Sequence, residues 1–274
     1  MKLSVSIWSV HYKVRGGEMN NLEFIKFCHQ NGVKAVELLD VFLKEESEIE
    51  SIKNLLEELN MEISSYSISN DFVQAAEEDR NLQLQKVKDG IDRAVKLGAK
   101  YMRVFSGDGK QGIAYEDAKT WIIDNFKKAA SYAEKQGVTM VVENHGLFVG
   151  KSKQVKELIE TVGSKYLRAN TDVGNFLLAN ENPLEAVVAL KDYVSFVHFK
   201  DFKETEKDQP GYLAMDGRKY MGTVLGEGEV PMKEVVDFLY NEGYKGYLSI
   251  EFEGPGDQIS GTLESIKYAN SIIK

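Results

Sequence analysis

Short apolar runs alternate along this chain with longer stretches in which apolar residues return every three or four positions. The runs at 3–9, 33–38, 62–68, 101–106, 139–144, 167–172, 194–199 and 247–252 have the length and the β-branched or aromatic content of strands. Between them the helical period covers about 19–31, 46–60, 79–97, 116–136, 152–162, 183–191 and 232–242, with a last helix at 260–273. Glycine marks the hand-over from helix to strand. Gly32, Gly98, Gly137 and Gly243 stand there in QNGVKAVEL, KLGAKYMRV, KQGVTMVVE and NEGYKGYLSIE. The residue that closes a helix takes a left-handed backbone, which glycine adopts without a Cβ clash. Eight strands alternating with eight helices, at the roughly 250 residues typical of a barrel, predict an α/β fold: a single (β/α)8 TIM barrel over 1–274. The alternative is a doubly wound open sheet, which carries a glycine-rich phosphate turn after its first strand. SVSIWSVHYK has no such turn.

Composition narrows the function classes. Among 274 residues, 43 are acidic and 34 basic, a formal net charge of −9 that argues against gripping phosphate backbones over a broad surface. A nucleic-acid partner is therefore not expected. No run approaches the roughly 18 apolar residues of a membrane span, and MKLSVSIWSV enters a strand without a cleavable signal pattern. The single cysteine, Cys28, lies in the periodic stretch LEFIKFCHQNG and reads as a core thiol. A cytoplasmic location is expected.

Candidate chemistry concentrates at the downstream ends of four strands. Glu143 ends TMVVE, Asp172 ends LRANTD, His198 stands in VSFVHF, and Glu251 follows YLSI. Three carboxylates and one imidazole are an oxygen-rich ligand set for one divalent metal. Barrel strands are buried on both faces, so charge belongs at their C-terminal ends, where loops build active sites. Alternation places Glu143 on the inward face with Val141 and His145, and Asp172 with Asn170. It places His198 with Phe196 and Lys200, and Glu251 with Ser249 and Glu253.

With ENHG after strand five, TDVGN after six, VHFKDF after seven and SIEFEG after eight, the chain resembles the xylose-isomerase-like barrels. That superfamily holds sugar isomerases, sugar-phosphate isomerases and epimerases, 3-epimerases and inosose dehydratases. The likeness extends to YMRVFSG and GEGEVPM and so covers nearly the whole chain. It implies that Glu143, Asp172, His198 and Glu251 are metal ligands and that the two glutamates also handle protons. Many relatives carry a substrate-contacting His three residues after the Asp; this chain has Asn175. That departure opens the identity of the substrate. An apurinic-site endonuclease of the same fold is a poor match, because clustered zincs need more than the 4 His present.

The chemistry follows from the residue types. A divalent cation bound to a sugar carbonyl and the neighbouring hydroxyl stabilises an enediolate. Two carboxylates on opposite sides can then remove one proton and return another. Glu143 and Glu251 suit that catalytic pair. Three carboxylates favour Mn2+ or Mg2+, with Zn2+ or Co2+ open because of the one His. The expected activity is a metal-dependent sugar or sugar-phosphate isomerase or epimerase acting on a small carbohydrate. The alternatives are an inosose-type dehydratase and a barrel that binds sugar without turning it over.

Other residues have two readings each. Lys200 holds a substrate hydroxyl or phosphate, or pairs Asp201. His145 contacts substrate or supports the metal. Glu37 binds a sugar hydroxyl or is a strand-end charge. Trp8 and His11 wall the pocket, with barrel packing as the other role for Trp8. Arg103 clamps substrate or forms a salt bridge at the barrel mouth. The connection 203–229, rich in charge and Gly, is expected to lack regular structure, to be anchored by Tyr212, Met215 and Tyr220, and to fold over the site or reach a neighbouring subunit of a homo-oligomer.

Overall fold

A computed structural model describes residues 1–274. Its strands are β1 (Lys2–Ser6), β2 (Ala35–Leu39), β3 (Glu62–Ser67), β4 (Tyr101–Val104), β5 (Thr139–Glu143), β6 (Leu167–Asp172), β7 (Val194–Phe199), β8 (Asp201–Thr205), β9 (Tyr212–Leu213), β10 (Lys219–Thr223) and β11 (Tyr247–Ile250). Eight of them close a parallel barrel in the order β1-β11-β7-β6-β5-β4-β3-β2. The helices are α1 (His11–Arg15), α2 (Asn21–Gln30), α3 (Glu48–Glu58), α4 (Glu77–Leu97), α5 (Tyr115–Gln136), α6 (Ser152–Val162), α7 (Asn175–Leu178), α8 (Pro183–Leu190), α9 (Met232–Asn241) and α10 (Gln258–Ile272). The (β/α)8 expectation holds. No helix is long and apolar enough to cross a membrane.

Alternation along each strand sorts the side chains into two layers. Val5, Val36, Met102, Val104, Met140, Val142, Val197, Phe199, Leu248 and Ile250 join the continuous apolar core shared with the helices. The residues between them face the barrel axis, and many are polar: Ser4, Glu37, Arg103, Glu143, Asn170, Asp172, His198 and Ser249 are all buried. Towards the N-terminal end of the strands the axis is closed by rings, with Phe196 6.1 Å from Tyr101 and 6.0 Å from Tyr247. The barrel therefore has an apolar plug below and a polar chamber above. A polar interior persists only when its groups are paired, since an unpaired buried polar group costs about 1–3 kcal/mol. Ser4 and Ser64 bond at 2.7 Å, and Ser67 and Ser249 both donate to Glu37.

Three local expectations change. The first strand is shorter than 3–9, because Ser6 caps a 3-10 turn over Ile7–Val10 by accepting from Trp8 N. This turn carries Trp8 over the barrel mouth. The fourth and eighth strands end at Val104 and Ile250, so Glu251 sits one residue beyond its strand. The connection 203–229, expected to lack regular structure, contains most of a three-stranded antiparallel sheet in the order β8-β10-β9. Of the three expected anchors only Tyr220 is fully buried, with Phe202 and Ala214 beside it in the core, whereas Tyr212 and Met215 are exposed because they sit on the outer part of the sheet and the turn after β9. Asp201 fixes the far end, accepting from Gly226 N at 2.9 Å, Gly228 N at 3.0 Å and Val230 N at 3.1 Å.

Candidate metal centre and its surroundings

Register brings the four strand-end residues together. Asp172 on β6 pairs with His198 on β7, which pairs in turn with Ser249 on β11, two residues before Glu251. On the other side Glu143 on β5 pairs with Asn170. One ligand atom from each of Glu143, Asp172, His198 and Glu251 lies within 4.8 Å of the others, and all four residues are buried. Opposite ligands of an octahedral ion with bonds near 2.1 Å stand roughly 4.2 Å apart, so the set needs only a small contraction to close on one ion.

His198 shows how the cluster is held. Its Nε2 lies 2.9 and 3.1 Å from the two carboxylate oxygens of Glu37, leaving Nδ1 facing Glu143 at 3.2 Å and Asp172 and Glu251 at 3.8 Å each. With Nε2–H donated to Glu37, Nδ1 is the ring atom that faces the carboxylates, and Asn170 Nδ2 lies 3.2 Å from it. A carboxylate behind a histidine ligand fixes its tautomer and orientation in this way. Glu37 therefore does not reach a sugar hydroxyl: it is fully buried beneath His198, held by Ser67 and Ser249.

Side-chain cations lie against the cluster. Lys200 Nζ lies 2.6 Å from Glu251, 3.0 Å from Asp172 and 3.7 Å from Glu253. It does not pair Asp201, which is committed to backbone amides. Arg103 Nε lies 3.3 Å from Glu143, and its Nη1 donates to Ile68 O at 3.1 Å. Burial disfavours charge on Glu143, yet Arg103 and His198 outweigh it and hold that carboxyl well below its usual range. Burial pushes Glu251 up to about 7 despite Lys200. It also raises Asp172, again against Lys200. For His198, burial favours the neutral ring, but Glu37, Glu251 and Glu143 carry its pKa well above the ordinary value. Asp172 Oδ2 is buried and makes no aligned hydrogen bond, although Lys200 is near. Three buried carboxylates converging on one edge of a buried imidazole are a donor set that could hold a divalent ion.

The remaining expected residues separate into those that face the chamber and those that support it. A cavity of about 120 Å3 above the cluster is lined by Trp8, Arg103, His145 and Lys200 together with Glu143 and Glu251. Asn175 lies beside it, with Nδ2 donating to Glu143 Oε1 at 3.2 Å and to Asn144 O at 3.1 Å. His145 is part-exposed, 3.5 Å from Asp108 and tilted against Phe105. His11 does not line the chamber. It is buried behind Trp8, stacked on the indole at 4.4 Å with Nδ1 bonded to Trp8 O.

Glu253 also lines the chamber, accepting from Trp8 Nε1 at 2.6 Å, and was not singled out as a site residue. Its signal was its position two residues past Glu251 on the same face. Leu39, Ser69 and Phe105 complete the wall and carry no local sign of it.

Comparison with known proteins agrees with this geometry. Residues 25–272 match the xylose isomerase-like TIM barrel family. Inosose dehydratase of Clostridium perfringens is 27% identical over 173 residues, covering 61% of this chain and 57% of the relative. The chain thus spans little more than half the length of that curated relative. Among solved structures, a D-tagatose 3-epimerase-like protein has TM-score 0.80 at 20% identity, covering 99% of this chain and 98% of that one. IolI protein with a bound zinc atom has TM-score 0.81 at 18% identity, covering 100% and 98%. The chain belongs to the xylose isomerase-like TIM barrel family.

Proposed function

We propose that this member of the xylose isomerase-like family is a metal-dependent isomerase or epimerase that moves a proton at the carbon next to the carbonyl of an unphosphorylated carbohydrate. The observation that carries the reading is the pair of buried glutamates. Glu143 and Glu251 come from β5 and β11, strands separated by two others, and meet around one ligand set. Glu143, Asp172, Glu251 and His198 would hold a divalent ion, which when bound would supply Lewis-acid polarisation of the carbonyl. One glutamate takes the C–H proton, the electron pair passes towards the carbonyl oxygen, and the other glutamate returns a proton. Glu37 keeps Nδ1 of His198 aimed at the chamber, and Trp8 shields it from water. Phosphate is disfavoured, because Lys200 is already engaged by three carboxylates and a dianion would face the same acidic wall.

A dehydratase is the second reading. It is supported by the similarity to inosose dehydratase and by Lys200, a buried ammonium in the chamber that would serve as the acid for a departing β-hydroxyl. It shares the first proton abstraction and differs in the product.

Incubation of the Mn2+-loaded protein with ketoses and inososes in deuterated water, followed by NMR, tests both. Deuterium next to a retained carbonyl supports the isomerase or epimerase, and loss of water supports the dehydratase. Glu143→Gln and Glu251→Gln are each expected to slow turnover by at least about 10³-fold. Full activity in both variants would refute the assignment.

A further inference from the structure

A second cavity opens beside the chamber, and its chemistry is the opposite. It measures about 260 Å3 and shares His145 with the chamber, while Asn175, which bonds Glu143, forms part of its wall. Beyond those two residues the lining is apolar: Leu147 after β5, Leu178 and Ala179 of the α7 turn, and Leu213 and Met215 from the β8-β10-β9 insertion, with Tyr212 at the edge. These pieces are joined by backbone, since Met215 N donates to Leu178 O at 2.9 Å. The room depends on missing side chains. A Cβ on Gly150 would stand 2.2 Å from Gly146 O and 3.3 Å from the Met215 methyl, so a larger residue there closes the space. Leu147 and Leu213 are 57% and 74% exposed. Exposed apolar side chains converging on a cavity that adjoins a reactive centre mark a binding surface rather than a core.

We infer that the substrate of this site has two parts, a polyhydroxylated carbonyl unit at the metal and an apolar substituent, of aryl size, in the side compartment. This rests on the metal-centred reading above and extends it. A free sugar carries a hydroxyl on nearly every carbon, and these walls offer it no side-chain partner outside His145, Asn175 and Tyr212. An aryl ring fits, because an apolar cavity of roughly 150 Å3 already holds benzene. Asn175 stands on the boundary between the two spaces. The position where the resemblance leads one to expect a larger histidine is therefore also the wall that a two-part substrate passes.

Dissociation constants of a methyl and a phenyl keto-glucoside, measured by NMR on wild type, Met215→Asp and Leu213→Asp, with and without Mn2+, test this. In wild type the phenyl compound is expected to bind at least about tenfold more tightly. That ratio is expected to collapse towards one in either variant. A ratio near one in wild type, a ratio that survives both substitutions, or no measurable binding of the phenyl compound would overturn the inference. Failure of the metal-centred reading looks different: both affinities become indifferent to Mn2+ while the phenyl preference persists. Both substituted side chains are substantially exposed, so the variants are expected to fold, and thermal unfolding checks it.

Discussion

The two halves of the barrel divide the labour unequally. β5, β6, β7 and the residue after β11 deliver every residue of the candidate metal cluster, whereas β1 to β4 deliver none. Yet the first half governs how the second behaves. Glu37 on β2 turns His198, Arg103 on β4 holds Glu143 ionised, and Ser4 and Ser64 close the polar floor. Ligands bind; the residues opposite them decide which atom, which charge and which orientation is offered. A pattern of acids at strand ends describes only the first of these.

That contrast can be broken most forcefully on the ligand side. Asp172→Asn removes a fully buried charge from the set and leaves the amide shape. Divalent-ion affinity is expected to fall by about 10³-fold or more by calorimetry, and retention of wild-type affinity would remove Asp172 from the site. The supporting half is tested by Glu37→Gln. Loss of a carboxylate behind a histidine ligand typically costs 10–100-fold in metal affinity. The same is expected here with unchanged far-UV circular dichroism, and an affinity within about twofold of wild type would reduce Glu37 to packing.

A smaller effect comes from pH. Glu251, raised by burial from 4.5 to about 7, is protonated below that value in the metal-free protein. An ion must displace that proton, and the one that the neighbouring carboxylates hold on His198, so affinity is expected to weaken by about tenfold or more per unit as pH falls below about 7. The sign for stability is the reverse. The folded state holds the proton more tightly than the unfolded chain, so metal-free stability declines as pH rises from 4.5 through about 7. Flat metal affinity between pH 5.5 and 7.5 would contradict this. The smallest effect is at the rim, where Trp8→Phe removes the bond from Nε1 to Glu253 and trims the ring that stacks on His11. A few-fold rise in KM with kcat nearly unchanged is expected, and a large fall in kcat would place the indole in the chemistry.

The legible part of the site was local. Glu143, Asp172 and His198 stand at or near the ends of apolar strands, Glu251 just past one, and alternation gave the inward neighbours Asn170, Phe196 and Lys200 from the chain alone. Glu37 stood at such an end too, and the same argument sent it to the rim. It is beneath His198 instead, because β2 lies across the barrel from β7, and its contact is between residues 161 apart in sequence. His11 was misplaced for a related reason. The 3-10 turn after β1 tucks its ring under Trp8, and no period reports a turn of four residues.

What the sequence determined by itself was the alternation of strand and helix, the barrel that follows from it, and the four strand-end residues that gather in one buried cluster. Strand and helix periods, and the need to place charge at the open ends of doubly buried strands, act within a few residues of each position. The tertiary structure alone decided that Glu37 orients His198, that Glu253 holds Trp8, that 203–229 folds into a sheet, and that an apolar compartment adjoins the buried cluster. Those outcomes depend on register and packing between segments far apart in the chain. The free energy that selects them is shared across contacts that no single stretch contains.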